Sequence, residues 1–179
     1  MSVTLDDALL VLLGRGPSSA YELWHEHARV LGAARRVDIG RVMAAVSRLE
    51  RGGLVRVEAP HEVRTGSSNR RPCELTAAGR GRQAAWLCAV TPDTEVEDVY
   101  VRGMLAVVAA DGETFAAFVE HALAATRLRI GRLGRIAAEE PAGRAGVAFD
   151  QEVARALALW LNQLPEHRAP ASRAEKLTG

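Results

Sequence analysis

Residues 40–58 read Gly-Arg-Val-Met-Ala-Ala-Val-Ser-Arg-Leu-Glu-Arg-Gly-Gly-Leu-Val-Arg-Val-Glu, and the apolar period changes within them. Val42, Val46 and Leu49 recur at helical spacing as far as Gly52-Gly53, and Asp38 is placed to cap that helix. Beyond the glycine pair, Leu54-Val55-Arg56-Val57-Glu58 alternates as a half-buried strand does. A helix that runs through a tight turn into a strand needs partners on both sides in sequence.

Upstream, Leu5, Leu9, Leu12 and Leu13 predict a first helix, stopped by Gly14, Gly16 and Pro17. Ser19 and Glu22 stand in capping-box relation and open a second helix. Its apolar stripe is Ala20, Leu23, Trp24, Ala28 and Leu31, and Gly32 ends it. Downstream, a polar stretch from Pro60 to Asn69 leads to a short return strand, Arg71-Pro72-Cys73-Glu74-Leu75. Pro72 cannot donate to a ladder, which predicts an edge or irregular strand. Thr76 then caps a fourth helix running through Trp86 and Leu87 to about Val90. Three small helices and a two-stranded hairpin describe a winged helix-turn-helix, the hairpin being too small to stand without the helices.

The rest of the chain reads as helix. Thr94 and Glu97 form a second capping-box pattern, ahead of Val96, Val99, Met104, Leu105 and Val108. Asp111-Gly112 breaks that helix. Phe115, Phe118, Val119, Ala122, Leu123, Thr126, Ile130, Leu133 and Ala137 then share one face of a long helix. Pro141, Gly143 and Gly146 interrupt, and Phe149, Val153, Leu157, Trp160, Leu161 and Leu164 form a last amphipathic helix ended by Pro165. A helix of about 26 residues is near 40 Å long, more apolar length than so small a domain covers by itself. The sequence therefore predicts a homodimer joined through Phe115, Phe118, Val119, Leu123, Ile130, Leu133, Phe149, Val153, Leu157 and Trp160. The fold class is mainly α with a small β-hairpin wing. It divides into a winged helix-turn-helix over 1–90, a helical dimerisation domain over 91–165 and a flexible tail over 166–179.

Composition narrows the function. The 179 residues are 48% apolar, enough for a buried core. No apolar run nears the 18 or so residues of a membrane span, and the opening Met-Ser-Val-Thr-Leu-Asp-Asp lacks a secretory pattern. With only Cys73 and Cys88 there is no disulfide framework, so a cytoplasmic protein without a membrane partner is expected. The net charge of +1 hides an asymmetry. Residues 29–82 carry 12 Arg against 5 acids, or +7, whereas residues 91–179 carry 10 basic against 13 acidic residues, or −3. Charge concentrated on one segment is the pattern of a phosphate-facing surface.

On the third helix, Arg41, Ala44, Ala45 and Arg48 are read as lying opposite Val42, Val46 and Leu49. Arg41, near the helix start, suits a base-edge contact, because Arg reads guanine bidentately. The alternative is a solvated face, and Arg48 stands either on that surface or paired with an acid such as Glu50 or Glu22. Arg35 and Arg36 before the helix, and Arg64, Arg70 and Arg71 in the wing, suit phosphate contacts that position rather than specify. Trp86 and Trp160 either line a pocket for a flat effector or pack in the core. Cys73, Cys88, His25 and His27 are too poorly spaced for a metal site. No nucleophile–base grouping or phosphate loop occurs, so neither an enzyme nor a cofactor is expected.

Three blocks resemble a known family. Gly16-Pro17-x-x-Ala20-Tyr21-Glu22-Leu23, Arg48-Leu49-Glu50-x-x-Gly53-Leu54-Val55 and Arg70-Arg71-x-x-x-Leu75-Thr76-x-x-Gly79-Arg80 resemble, in order and spacing, signatures of PadR-like transcriptional regulators. Gly40 and Ala45 also match the family's third helix, whereas Met43 and Ala44 replace its Tyr-Pro, and Pro72-Cys73 replaces the usual Tyr-Tyr of the wing. The resemblance implies a dimeric repressor that binds an imperfect palindrome and responds to a small aromatic molecule. Tyr21 matches the family's Tyr, and its hydroxyl suits donation to a phosphate, the alternative being packing against the first helix. Two alternatives stay open: a winged-helix module that binds protein rather than DNA, and a MarR-type regulator.

Overall fold

A computed structural model describes residues 3–58, 71–137 and 139–168. Its elements follow in the order α1 (Leu5–Leu12), β1 (Ser18–Ser19), α2 (Ala20–Leu31), α3 (Ile39–Arg51), β2 (Val55–Val57), β3 (Pro72–Leu75), α4 (Ala77–Cys88), α5 (Val96–Ala109), α6 (Gly112–Leu133) and α7 (Pro141–Gln163). Helices α1–α3 and the small sheet make a winged helix, and α4–α7 a helical region packed against it.

Local chemistry explains most of the boundaries. The Ser19 side chain accepts from Glu22 N while Glu22 Oε2 accepts from Ser19 N at 2.7 Å, the reciprocal cap that starts α2. Asp38 accepts from Gly40 N and starts α3. Gly32 and Gly53 end α2 and follow α3 at φ of 79° and 68°, where a side chain would strain the backbone. Thr76 caps α4 through Gly79 N and also donates to Gly53 O at 2.7 Å, tying the exit of α3 to the start of α4. Gly79 permits that closeness, since a Cβ there would lie 2.0 Å from Leu54 O.

The sheet departs from a two-stranded hairpin. The extended backbone that leads into the α2 cap forms β1, which pairs with β3 through Ser18↔Cys73 and Ser19↔Pro72. The order is β1-β3-β2, so the return strand is central rather than at an edge. Pro72 is tolerated there because it is the first residue of β3, with its carbonyl accepting from Glu58 N.

The helical region holds three further corrections. Thr94 and Glu97 make no capping box: α5 begins at Val96, the Thr94 hydroxyl accepts from Thr91 N, and Glu97 turns to Arg35. The long helix stops at Leu133, leaving Ala137 outside it. Gly143 and Gly146 do not interrupt: Pro141 sits at the first turn of α7, where its missing N–H is no loss, and the helix continues for 23 residues. Two exposed glycines cost about 1 kcal/mol each, which packing of α7 along α6 offsets.

The core runs without a break from α1, buried from Asp7 through Leu12, into Val99, Val101, Leu105 and Phe118. Arg102 is 1% exposed within it. Its guanidinium lies 4.4 Å from the Trp86 ring and donates to the carbonyls of Trp86 and Ala89 at the end of α4.

The Gly79 contact predicts opposite signs for two neighbouring substitutions. Gly79→Ala should lower unfolding free energy by about 1–3 kcal/mol through overpacking. Gly81→Ala, whose Cβ meets nothing within 4 Å, should raise it by up to about 1 kcal/mol through helix propensity. Urea unfolding reads both, and equal losses would contradict the packing of α4 on Leu54.

Candidate nucleic-acid interface

Helix α3 is held from beneath. Val42, Ala45, Val46 and Leu49 are its buried residues, and Trp24 Nε1 donates to Val37 O at 2.8 Å, fixing the turn that leads in. Gly40, Arg41, Met43, Ala44, Ser47, Arg48, Glu50 and Arg51 are exposed. Ala45 is a correction: at 0% exposure it belongs to the core face, because residues 42, 45, 46 and 49 follow the i, i+3, i+4, i+7 repeat of one helix face. What remains outward is a strip of small residues, Gly40, Ala44 and Ser47, flanked by Arg41 and Arg48 on one side and Met43 on the other. Met43, Ser47 and Arg51 escaped the sequence reading, although the same repeat, anchored on Val42 and Leu49, assigns all three outward.

The arginines divide by partner. Arg41 lines a cleft with Val3, Thr4, Leu5, Asp6, Ala44 and Arg48, and no acid pairs with it among the described residues. Arg48 makes a forked contact with Asp6, Nη2 to Oδ1 at 2.6 Å and Nε to Oδ2 at 3.1 Å, rather than with Glu50 or Glu22. Asp6 accordingly holds the guanidinium above its ordinary value. Arg35 pairs with Glu97 of α5. The Arg36 guanidinium lies 5.8 Å from the Trp24 ring, and Arg71 Nε donates to Glu58 O at 2.9 Å across the wing. Arg64 and Arg70 lie outside the described residues. Tyr21 is partly exposed and packs on Trp24 and His25 at 5.7 and 4.5 Å between ring centres. Between it and α3 lies a mainly apolar cavity bounded by Met43, Val46, Val57, Arg71 and Cys73.

The proposed effector residues separate. Trp86 is buried under Arg102 and packs within the hydrophobic core. Trp160 folds back on α5, 5.6 Å from the Tyr100 ring and against Gly103, where a Cβ would lie 2.4 Å from the indole. The expected dimer residues also divide. Phe115, Phe118 and Leu157 are buried inside the chain and unavailable to a partner. Val119, Leu123, Ile130, Leu133, Val153 and Trp160 are half-buried, and Phe149 is 68% exposed. The α6–α7 pair absorbs much of the apolar face that two separate helices would present.

Two titratable groups are set by burial. His27 is buried in α2 with Nδ1 unpartnered among the described residues, and desolvation and then the nearby Arg35 hold its imidazole below its ordinary value. Burial pushes the Cys73 thiol up to about 11, and its Sγ contacts Ser18 O at 2.6 Å. No group of three metal-ligating side chains occurs among the described residues.

No family model matches the sequence, and no curated protein matches it. One solved structure with a similar chain course is the crystal structure of Bacillus subtilis PadR in complex with operator DNA. The two share 16% sequence identity and a TM-score of 0.45 over 91% of this chain and 98% of that one. Neither value is high enough to carry the other protein's properties to this chain.

The His27 environment predicts acid sensitivity. An unfolded imidazole protonates near pH 6.5 while the folded one resists, so its contribution is complete above about pH 6.5 and is lost as pH falls toward the depressed folded value. His27→Gln should therefore flatten the loss of stability between about pH 7 and about pH 5. Thermal unfolding across that range checks it, and an unchanged slope would remove His27 as the cause.

Proposed function

We propose that this chain is a DNA-binding transcriptional regulator that works as a homodimer, its α3 entering the major groove of a duplex. The observation that carries the reading is the outward strip of α3. Gly40, Ala44 and Ser47 are small enough for close approach, and Arg41 beside them is exposed with no acidic partner among the described residues. An uncommitted guanidinium at the start of such a helix is placed to take the two acceptors of a guanine edge. Arg36 and Arg71, on the flanks of the same face, suit phosphate contacts.

The division of labour proposed is a DNA-binding unit over 1–90 and a dimerisation unit over 91–165. The surface offered for dimerisation is on the α6–α7 pair, where Leu128, Phe149 and Leu159 are exposed and Ile130, Leu133 and Val153 are half-buried. Repression of an imperfect palindrome follows from two such units related by a twofold axis. Within this reading Trp160, tilted against the exposed Tyr100, is the aromatic surface left for a planar effector. The exposed Met43 and Tyr21 around an apolar cavity favour the competing reading, a winged-helix module that binds protein. No described helix is long and apolar enough to cross a membrane.

The test is binding of the full chain to duplexes selected from a random pool and to scrambled controls, across salt. Arg41→Ala should weaken the selected duplex by about 1–3 kcal/mol per half-site and relax preference at one base pair. Equal weakening of selected and scrambled DNA would remove Arg41 from base readout. Failure of the unaltered chain to bind either duplex at low salt would favour the protein-binding module. Light scattering should give twice the 19.2 kDa chain mass.

A further inference from the structure

The arginines expected at the interface are not equally free. Arg48, on the outward side of α3, is gripped by the two carboxylate oxygens of Asp6 at 2.6 and 3.1 Å. Arg35, in the turn before α3, is paired with Glu97 of α5. Both acids lie in the first turn of their helices, where a carboxylate also complements the helix dipole, so both are locally stable in place. A carboxylate offers a guanidinium the same planar pair of oxygens as a phosphate, at the same hydrogen-bond distance. Among the described residues, the other ion-paired arginines of this half, Arg15, Arg29, Arg56 and Arg82, meet Glu26, Glu74 and Asp7 and are not part of the cleft beside Arg41.

We propose that Asp6 and Glu97 occupy, in the free protein, the places on Arg48 and Arg35 that nucleic-acid phosphates take in the complex. The two acids are then positioning residues that set how many arginines the chain brings to a duplex. This rests on the nucleic-acid reading above. It makes binding an exchange of partners at these two sites and fresh capture at Arg41, which weakens sequence-independent binding more than binding driven by base contacts. Glu97 belongs to α5, the helix that also carries the buried Arg102, so the charge available beside α3 is tied to the seating of the helical region.

The experiment uses the full chain and a random-sequence duplex, with affinity measured from low to moderate salt. Asp6→Asn and Glu97→Gln should each tighten binding by about two- to fivefold per subunit, the range of an exposed ion pair. Because the same phosphates are contacted in each case, the slope of log affinity against log salt should stay within about 1 of that of the unaltered chain. The gains should vanish when Asp6→Asn is placed on Arg48→Gln, and Glu97→Gln on Arg35→Gln. Glu113→Gln, which removes an exposed first-turn charge from α6, away from α3, is the control and should leave the affinity unchanged in every background. Gains that persist without the paired arginine would reduce the effect to net charge and overturn the proposal, as would no gain from either variant. The two acids sit on separate helices, so misfolding of one variant, seen by thermal unfolding, leaves the other as the test. An unaltered chain that binds no duplex would instead overturn the nucleic-acid reading itself, an outcome distinct from both.

Discussion

The buried guanidinium of Arg102 joins α5 to the end of α4, at the junction from which the rest of the helical region extends. A charge at 1% exposure is tolerated only with close compensation. The carbonyls of Ala89 and of Trp86, which also accepts from Ala89 N, accept from it at the end of α4, the Trp86 face covers it, and Asp98 and Asp7 lend longer-range attraction. Burial nevertheless holds it below its ordinary value, the largest influence acting on it. One side chain thus bonds the end of α4 and fills the space between α4 and α5, fixing these two helices against each other. Gly103, the next residue, lets Trp160 close against the same helix, so α7 is brought into register by the same short stretch of α5.

The small sheet shows a related economy. Three strands of two to four residues would not persist alone. They persist because each is continuous with a capped helix: β1 ends in the Ser19 cap of α2, β2 follows the glycine turn after α3, and β3 leads to the Thr76 cap of α4. Caps that satisfy orphan helix donors also hold extended backbone in line for pairing. The wing is in this sense an outgrowth of helix ends.

Charge on the α3 face is a balance of local pairs. The strongly basic count of residues 29–82 suggests a uniformly positive surface, but folding brings Asp6 and Glu97 from either side of that segment onto two of its arginines. Among the described residues, the arginines left without an acid beside the small-residue strip are Arg41 and Arg51, with Arg36 and Arg71 at the margins. A surface of this kind discriminates by which arginine is unoccupied as much as by how many there are.

The sequence by itself determined the caps of α2, α3 and α4 and the order of helices and strands around them, because these rest on interactions within a few residues: Ser19 with Glu22, Asp38 with Gly40, Thr76 with Gly79. It also identified Arg41 on the outward side of α3, since helical period is a local property. It misplaced Ala45 by taking the wrong arc of that period, and it read Gly143 and Gly146 as breaks because propensity is visible in sequence while the packing of α7 on α6 is not. The third strand, the partners of Arg35 and Arg48, and the burial of Trp86, Phe115, Phe118 and Leu157 were decided only by tertiary structure. Each depends on contacts between residues far apart in the chain. Arg48 lies 42 residues from Asp6, and Cys73 lies 55 from Ser18. A pairing over such separations leaves no local pattern, because it is set by how helices stack around a shared core and not by the residues that flank either partner.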